Sequence, residues 1–171
     1  NATDQAMANL RFETATLYAL PFADRSFDAV FSNAVLTYLH NPLAALREIH
    51  RVLKPGGVAG MRASDHVGQL CAPPDPLVLR LWQIFDALVQ QNGGNPFLGK
   101  QLRGLFRQAG FVQVEAGASY DCFSTEETTR QLATTLSTVL SEEDYIRKVV
   151  DLGLAERTEL ERMSQAWQAW G

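Results

Sequence analysis

The chain opens with an alternating block. Leu10-Arg11-Phe12-Glu13-Thr14-Ala15 has the two-residue period of a strand. Phe27 to Ser32 is a second predicted strand, and its apolar run Ala29-Val30-Phe31 is that of a parallel strand covered on both faces. Asn41-Pro42 then starts a helix, because Asn caps well and Pro is tolerated at the first helical position. Leu43, Leu46, Ile49 and Leu53 fall on one side of it. Lys54 stands where a cation favours a helix carboxyl end. Pro55-Gly56-Gly57 predicts a tight turn, and Val58 to Ala63 a short strand. Strand, helix and strand with short links predict a right-handed βαβ unit in a mainly parallel sheet.

Beyond Asp65 the pattern becomes mostly helical. Cys71 to Pro76 reads as a loop in which Asp75 caps a helix from about Leu77 to Gln90, ended by Asn92-Gly93-Gly94-Asn95-Pro96. This helix is apolar on almost every face, broken only by Arg80, Gln83 and Asp86. A further helix spans about Phe97 to Gln108, with Gly110 as its stop. Phe111 to Val114 alternates as a strand, and Ser119 to Phe123 can pair back against it. From Ser124 the chain is helical again, with Ser124-x-x-Glu127 as a capping box and Ser141-x-x-Asp144 as a weaker one. Leu160, Met163, Trp167 and Trp170 form a stripe on the last helix, read as packing rather than as a substrate cage.

Composition narrows the partners. The 171 residues, 46% hydrophobic and 20% charged, make one globular domain or most of one. A net charge of -4 with no basic stripe argues against nucleic acid and for small-molecule chemistry. Cys71 and Cys122 are too isolated for a disulfide framework or a zinc site, and they fit a reducing cytoplasm. No apolar run approaches the length of a membrane span, and no signal peptide is visible.

Three segments carry a resemblance to a known family: Leu20-Pro21-Phe22-Ala23-Asp24-Arg25-Ser26-Phe27-Asp28-Ala29-Val30, then Asn41-Pro42-Leu43-Ala44-Ala45-Leu46-Arg47-Glu48, then Arg51-Val52-Leu53-Lys54-Pro55-Gly56-Gly57. At this spacing, from about Asn9 to Phe123, the chain resembles the class I S-adenosylmethionine-dependent methyltransferases of the ubiquinone/menaquinone-biosynthesis-like (type 11) group. The resemblance implies an α/β, Rossmann-like sheet lacking its first strands. Residues 1–123 would form the C-terminal part of the core, residues 66–96 a helical cap insertion, and residues 124–171 a helical tail packed on the core. The motif residues themselves read as structural: Pro21 and Phe22 lead into a strand, Asp28 orients a loop, and Pro55-Gly56-Gly57 turns the chain.

The resemblance also implies S-adenosylmethionine as cofactor. The family reads adenine at the end of its third strand with an Asp and the following backbone, and the matching positions are Thr16 and Leu17. A hydroxyl there replaces a carboxylate, which weakens the contact. Asn33 matches the position beside the ribose and methionine portion, just beyond a strand's carboxyl end, where open α/β sheets take ligands. Methyl transfer is a direct displacement in which alignment of the acceptor does much of the work, and a general base matters where the acceptor must lose a proton. Tyr38, His40, Asp65 and His66 are the polar residues near the expected strand ends, and each also reads as a solvated loop residue. Of these, His66 is the candidate base, with Tyr38 and Asp65 as candidate acceptor contacts. The Leu77–Gln90 helix is either a lid over a hydrophobic or aromatic acceptor, or a core helix packed on the sheet or on the C-terminal helices.

No E/D-x-G-x-G-x-G loop occurs in the chain. In the family's sheet, two strands separate those matching Leu10–Ala15 and Phe27–Ser32. Without them the first has no neighbour, and the second exposes an apolar edge that invites self-association. The expectation is therefore an N-terminally truncated methyltransferase that alone binds S-adenosylmethionine poorly and is inactive. Two other readings stand beside it: a catalytically inactive methyltransferase-like module used for protein interaction, and an α/β nucleotide-binding oxidoreductase, which leaves R-V-L-K-P-G-G unexplained.

Overall fold

In the computed structural model, which describes residues 9–171, the Asn41 side chain caps helix α1 (Pro42–Val52) by accepting the Ala44 amide at 3.0 Å. Ala45, Leu46, Ile49 and Val52 form the buried side of α1. The helix links two parallel strands, β1 (Phe27–Asn33) and β2 (Leu53–Arg62). Phe27 pairs with Leu53 but Ala29 pairs with Val58, so Lys54–Gly57 bulge out opposite Asp28 alone. Lys54 thus serves the bulge rather than the end of α1: its Nζ donates to both Asp28 oxygens, at 2.9 and 2.8 Å. Pro55-Gly56-Gly57 lies within β2 rather than turning the chain into it. Gly56 adopts φ +79°, and a Cβ on Gly57 would sit 2.9 Å from the Lys54 carbonyl oxygen and 3.1 Å from that of Asp28. One glycine supplies a left-handed backbone and the other a close approach.

Upstream of β1, side chains lay an irregular segment along α1. Arg51 Nε and Nη2 donate to the Glu48 carboxylate at 2.9 and 2.6 Å. Its Nη1 reaches the Phe22 carbonyl at 2.9 Å and Asp24 Oδ1 at 2.6 Å, and Nη2 also reaches the Leu20 carbonyl at 3.1 Å. Glu48 Oε1 accepts the Leu20 amide at 2.8 Å. The hydrogen bonds from Arg51, followed by the Leu20 amide bond and the ion-pair attraction, hold the Glu48 carboxyl below its ordinary range despite opposition from burial.

Three predicted strands are not formed. Among the described residues Leu10–Ala15 has no neighbour to complete a ladder and runs unpaired, with Leu10 and Phe12 exposed; an isolated Thr16–Ala19 bridge follows it. Phe111–Val114 and Ser119–Phe123 are irregular. Phe111 turns inward against Phe106 and His50, with ring centroids 4.8 and 5.0 Å apart. Gln113 at φ +52° then breaks the extended run. Among the described residues the sheet therefore has two strands. One of its faces packs Phe27, Val30, Ala59 and Met61 against α1 and α3 (Leu102–Gln108). On the other, Phe31 and Val58 are 75% and 66% exposed, so the apolar run expected to be covered on both faces is covered on one.

The helix predicted over Phe97–Gln108 starts late. The amides of Phe97, Gly99 and Lys100 donate to Asn95 Oδ1, the Ser64 carbonyl and Asp65 Oδ2, and a 3₁₀ turn, Gly99–Gln101, precedes α3. Those donors serve neighbouring loops instead of a helical turn.

The remaining helices build a second core. Asp75 Oδ1 caps α2 (Pro76–Gln91) by accepting the Leu77 and Val78 amides. Val78, Leu81, Ile84 and Leu88 of α2 are buried with residues of α4 (Glu126–Val139), α5 (Glu143–Asp151) and α6 (Arg157–Trp170). Leu160, Met163 and Trp167 from the predicted stripe close this core. Arg80 ties α2 to its far side, donating to Glu159 at 2.9 Å and to the Leu154 carbonyl at 2.7 Å. The C-terminal helices thus pack on α2 rather than on the sheet. The capping box of α4 is Thr125 with Thr128, one residue beyond Ser124. Helix α5 lacks a side-chain cap, because Ser141 Oγ donates to the Ser137 carbonyl instead. Among the described residues no helix is long and apolar enough to cross a membrane.

Leu46→Ala and Leu160→Ala, one in each core, should each cost about 2–5 kcal/mol in urea unfolding. The double variant should lose their sum to within about 0.5 kcal/mol, and a larger deviation would mean that the two clusters act as one. Glu48, with its folded pKa depressed, contributes stability above the ordinary carboxylate value of 4.5 that is lost as pH falls through its folded value. Glu48→Gln should therefore flatten the acid limb of the urea-midpoint profile; an unchanged limb would remove this pair as a source of acid sensitivity.

Candidate active site

Three loops meet beyond the carboxyl ends of the strands. The first leaves β1 at Asn33 and continues through Ala34, whose amide donates to the Arg62 carbonyl at 2.9 Å. The second leaves β2 at Arg62 and reaches α2 through a 3₁₀ turn, His66–Gly68. The third joins α2 to α3. Backbone bonds stitch them together: the Asn95 amide to the Thr37 carbonyl at 2.7 Å, and the His66 amide to the Pro96 carbonyl at 3.2 Å.

His66 stands at this junction. Its Nδ1 lies 2.6 Å from Asp86 Oδ1 on α2, and its ring is 5.5 Å from Phe85 and 5.9 Å from Trp82. The His66 and Asp86 side chains are 11% and 19% exposed. Nε2 makes no hydrogen bond among the described residues, yet it is not one of the polar atoms sealed without a partner. A carboxylate can only accept, so in the neutral imidazole the hydrogen-bond network assigns the proton to Nδ1 and leaves the lone pair on Nε2. The arrangement is able to take a proton from a ligand.

Sequence reasoning missed Asp86, although a signal existed. Of the three polar breaks in α2, Arg80 donates to Gln83 at 3.3 Å and to Glu159, which leaves Asp86 unaccounted for by the second core. It also missed Arg62 and Tyr120. Arg62 Nη2 donates to both Asp121 oxygens at 2.7 and 2.8 Å, drawing that segment across the end of β2. The Tyr120 hydroxyl lies over Gly68, and the exposed side chains of Val67, Leu70 and Tyr120 give the region an apolar rim.

The other expected site residues divide into two groups. Asp65 adjoins His66 but both its oxygens are engaged, Oδ1 with the Val67 amide at 3.3 Å and Oδ2 with the Lys100 amide at 3.0 Å. Tyr38 ends the 3₁₀ turn Leu36–Tyr38 and is exposed. Thr16 and Leu17 precede Tyr18, and Thr16 Oγ1 accepts the Tyr18 amide at 3.3 Å. The Tyr18 hydroxyl accepts the Asn41 amide at 3.3 Å and donates to His40 Nδ1 at 3.0 Å, a direction inferred from the hydrogen-bond network. That contact sets the Thr16–Leu17 turn against the loop that begins at Asn33. Asn33 pairs with Arg62 in the sheet and is exposed. No hydrogen bond among the described residues joins the Thr16–Leu17 group to the His66 group. A groove of about 940 Å³ lies away from both, along the outer edge of β2 between its bulge and residues 110–117. Among the described residues no three His, Cys, Asp or Glu side chains converge as metal ligands would.

Comparison with known proteins gives this geometry a family. Residues 1–61 match the family model described as a methyltransferase domain. Over 165 residues the chain is 32% identical to an uncharacterized methyltransferase of Schizosaccharomyces pombe, covering 95% of this chain and 58% of that protein. It is 31% identical over 135 residues to the demethylmenaquinone methyltransferase of Lactococcus lactis, covering 66% of this chain and 49% of the relative. Among solved structures the cyclase SpnF superposes with a TM-score of 0.50 at 23% identity, covering 99% of this chain and 52% of that one, and it speaks for the fold alone. The chain spans about half the length of the curated relatives it matches. Sheet, helices and motifs define a Rossmann-like α/β domain. The matched family model and both relatives are methyltransferases, and this similarity supports a class I S-adenosylmethionine-dependent methyltransferase.

The Leu17 amide makes no hydrogen bond among the described residues, Thr16 offers a hydroxyl, and Asn33 exposes an amide beyond β1. These are donors and acceptors of the kind that adenine and a ribose require.

A methyl group at Gly99 would lie 2.9 Å from Asp65 Cβ, so Gly99→Ala should displace the His66 loop. The expected cost is about 1–3 kcal/mol in denaturant unfolding, with altered His66 ring resonances. Wild-type stability together with unmoved resonances would show that the loop absorbs the methyl freely.

Proposed function

We propose that the complete protein transfers a methyl group from S-adenosylmethionine to a small hydrophobic or aromatic acceptor, and that this chain supplies the acceptor side. The observation that carries the reading is the His66 cluster in a chain of methyltransferase family. It offers an imidazole with an open nitrogen, walled by Trp82 and Phe85, beyond a strand end where α/β sheets take ligands.

The cofactor, when bound, supplies an electrophilic methyl carbon on a sulfonium. Thr16 and the Leu17 amide would hold its adenine, and Asn33 its ribose or methionine portion. His66 Nε2 takes the acceptor's proton where there is one to lose. Asp65 contributes by holding the His66 loop, whereas Tyr38 has its side chain free to touch the acceptor. Trp82, Phe85 and the rim around Tyr120 favour a flat, apolar molecule. A relative named for demethylmenaquinone, a quinone, supports the same class. Two unpaired thiols, one half-buried at Cys71 and one exposed at Cys122, fit action in a reducing cytoplasm. The outer edges of the two-stranded sheet are where further strands or a second copy would pair.

His66→Ala in the complete protein should lower turnover about 100-fold while leaving cofactor affinity within about twofold. Unchanged turnover would take His66 out of the reaction. These 171 residues alone should bind S-adenosylmethionine weakly, since they fit only one flank of it. Micromolar affinity by isothermal titration would overturn that division of labour.

A further inference from the structure

We propose that Asp86 is a positioning residue that keeps His66 a proton acceptor for a hydroxyl group on the acceptor molecule. The choice of acceptor rests on the methyl-transfer reading above, whereas the role of Asp86 rests on geometry alone.

The two partners are anchored in different parts of the molecule. Asp86 sits on α2 between Ile84 and Leu88, both buried in the helical core. His66 sits in the loop after β2, held by its amide bond to Pro96 and by the Asp65 contacts to Val67 and Lys100. A bond of 2.6 Å between separately anchored groups orients the ring, and Trp82 and Phe85 limit its rotation. Which imidazole nitrogen is protonated is set by the bond the other makes. With Asp86 as the acceptor, the neutral ring donates through Nδ1–H and keeps its lone pair on Nε2, the nitrogen left open. When Nε2 gains a proton, the imidazolium faces a carboxylate that stabilises it.

This arrangement selects among acceptors. A neutral amine already presents a lone pair and attacks without prior proton loss. A hydroxyl becomes a strong nucleophile only as its proton leaves, so a poised base serves it most. In that step the O–H bond breaks and an Nε2–H bond forms. The electron pair stays on oxygen, where it is available to the methyl carbon. The aromatic walls and apolar rim favour a hydroxyl carried on a flat, apolar molecule.

The test is a long-range ¹H–¹⁵N correlation spectrum of the ¹⁵N-labelled chain with its imidazoles neutral. Wild-type His66 should show Nδ1 in the protonated range and Nε2 in the unprotonated range. Asp86→Ala should move the tautomer ratio toward Nε2–H by about tenfold, the scale of one charge-assisted hydrogen bond. Asp86→Asn, which keeps the shape, should move it less. Indole resonances of Trp82 and Trp167 that stay in place would show that both variants fold. If neither substitution moves the ratio, the positioning role is wrong. For the acceptor class the probes are 1-naphthol and its methyl ether. The naphthol should shift the Nε2 resonance in the wild type and not in Asp86→Ala, and the ether should shift neither. Equal shifts, or none from the naphthol, would overturn the hydroxyl assignment. Should the complete protein fail to transfer methyl groups while the tautomer behaves as stated, the transfer reading falls and the role of Asp86 stands; the reverse result removes Asp86 alone.

Discussion

The guanidinium of Arg51 is the constraint on which the rest of this fold hangs. Leu20–Asp24 makes no regular structure and has little backbone bonding of its own, yet it must deliver the chain to β1 at the right height beside α1. Arg51 does this by spending its donors on the Leu20 and Phe22 carbonyls and on Asp24, while Glu48 returns an acceptor to the Leu20 amide. Ionised partners make such bonds stronger than neutral ones. A few residues on, Lys54 and Asp28 repeat the device across the bulge in β2. Two ion pairs thus brace both approaches to β1, one before it and one beside it. The family motifs L-P-F-x-D, N-P-L-x-A-L-x-E and R-V-L-K-P-G-G supply the polar parts of this brace, Asp24, Glu48, Arg51 and Lys54, together with the glycines of the bulge.

That view separates the molecule into a scaffold and an addition. The braced βαβ unit and α3 share one core, and α2 with α4, α5 and α6 share another. His66 and Asp86 bridge the two, because one side chain comes from the loop after β2 and the other from α2. A site assembled across two cores is sensitive to how they sit against each other. Gly99, Asp65 and the Pro96 carbonyl, which register that loop, therefore matter to chemistry without touching a ligand.

Where local chemistry decides structure, the sequence was legible. Asn41-Pro42 and Asp75-Pro76 announce α1 and α2 because a cap acts within a few residues. The apolar run Ala29-Val30-Phe31 announces β1. Strands at Leu10–Ala15 and Phe111–Val114 were misread because alternation expresses a preference that only a partner strand can realise, and none adjoins them among the described residues. The Ser124 box slipped by one residue because Thr125 and Thr128 satisfy the same donors. His66 was legible as a polar residue after a strand. Asp86, twenty residues on, was not, because only the docking of α2 beside that loop brings it near.

The brace also explains why so specific a signature says so little about chemistry. Its charged residues are occupied with other parts of the chain, Glu48 with Arg51 and Asp28 with Lys54, and Gly57 lies where a side chain would clash. The groups that are left over, His66 Nε2, the Trp82 and Phe85 faces and the exposed rim, come from α2 and the loops around it. Helix α2 anchors mainly to the C-terminal helices rather than to the braced unit. On the methyl-transfer reading proposed above, recognition of the acceptor falls to α2 and its loops, while the brace carries the likeness to the family.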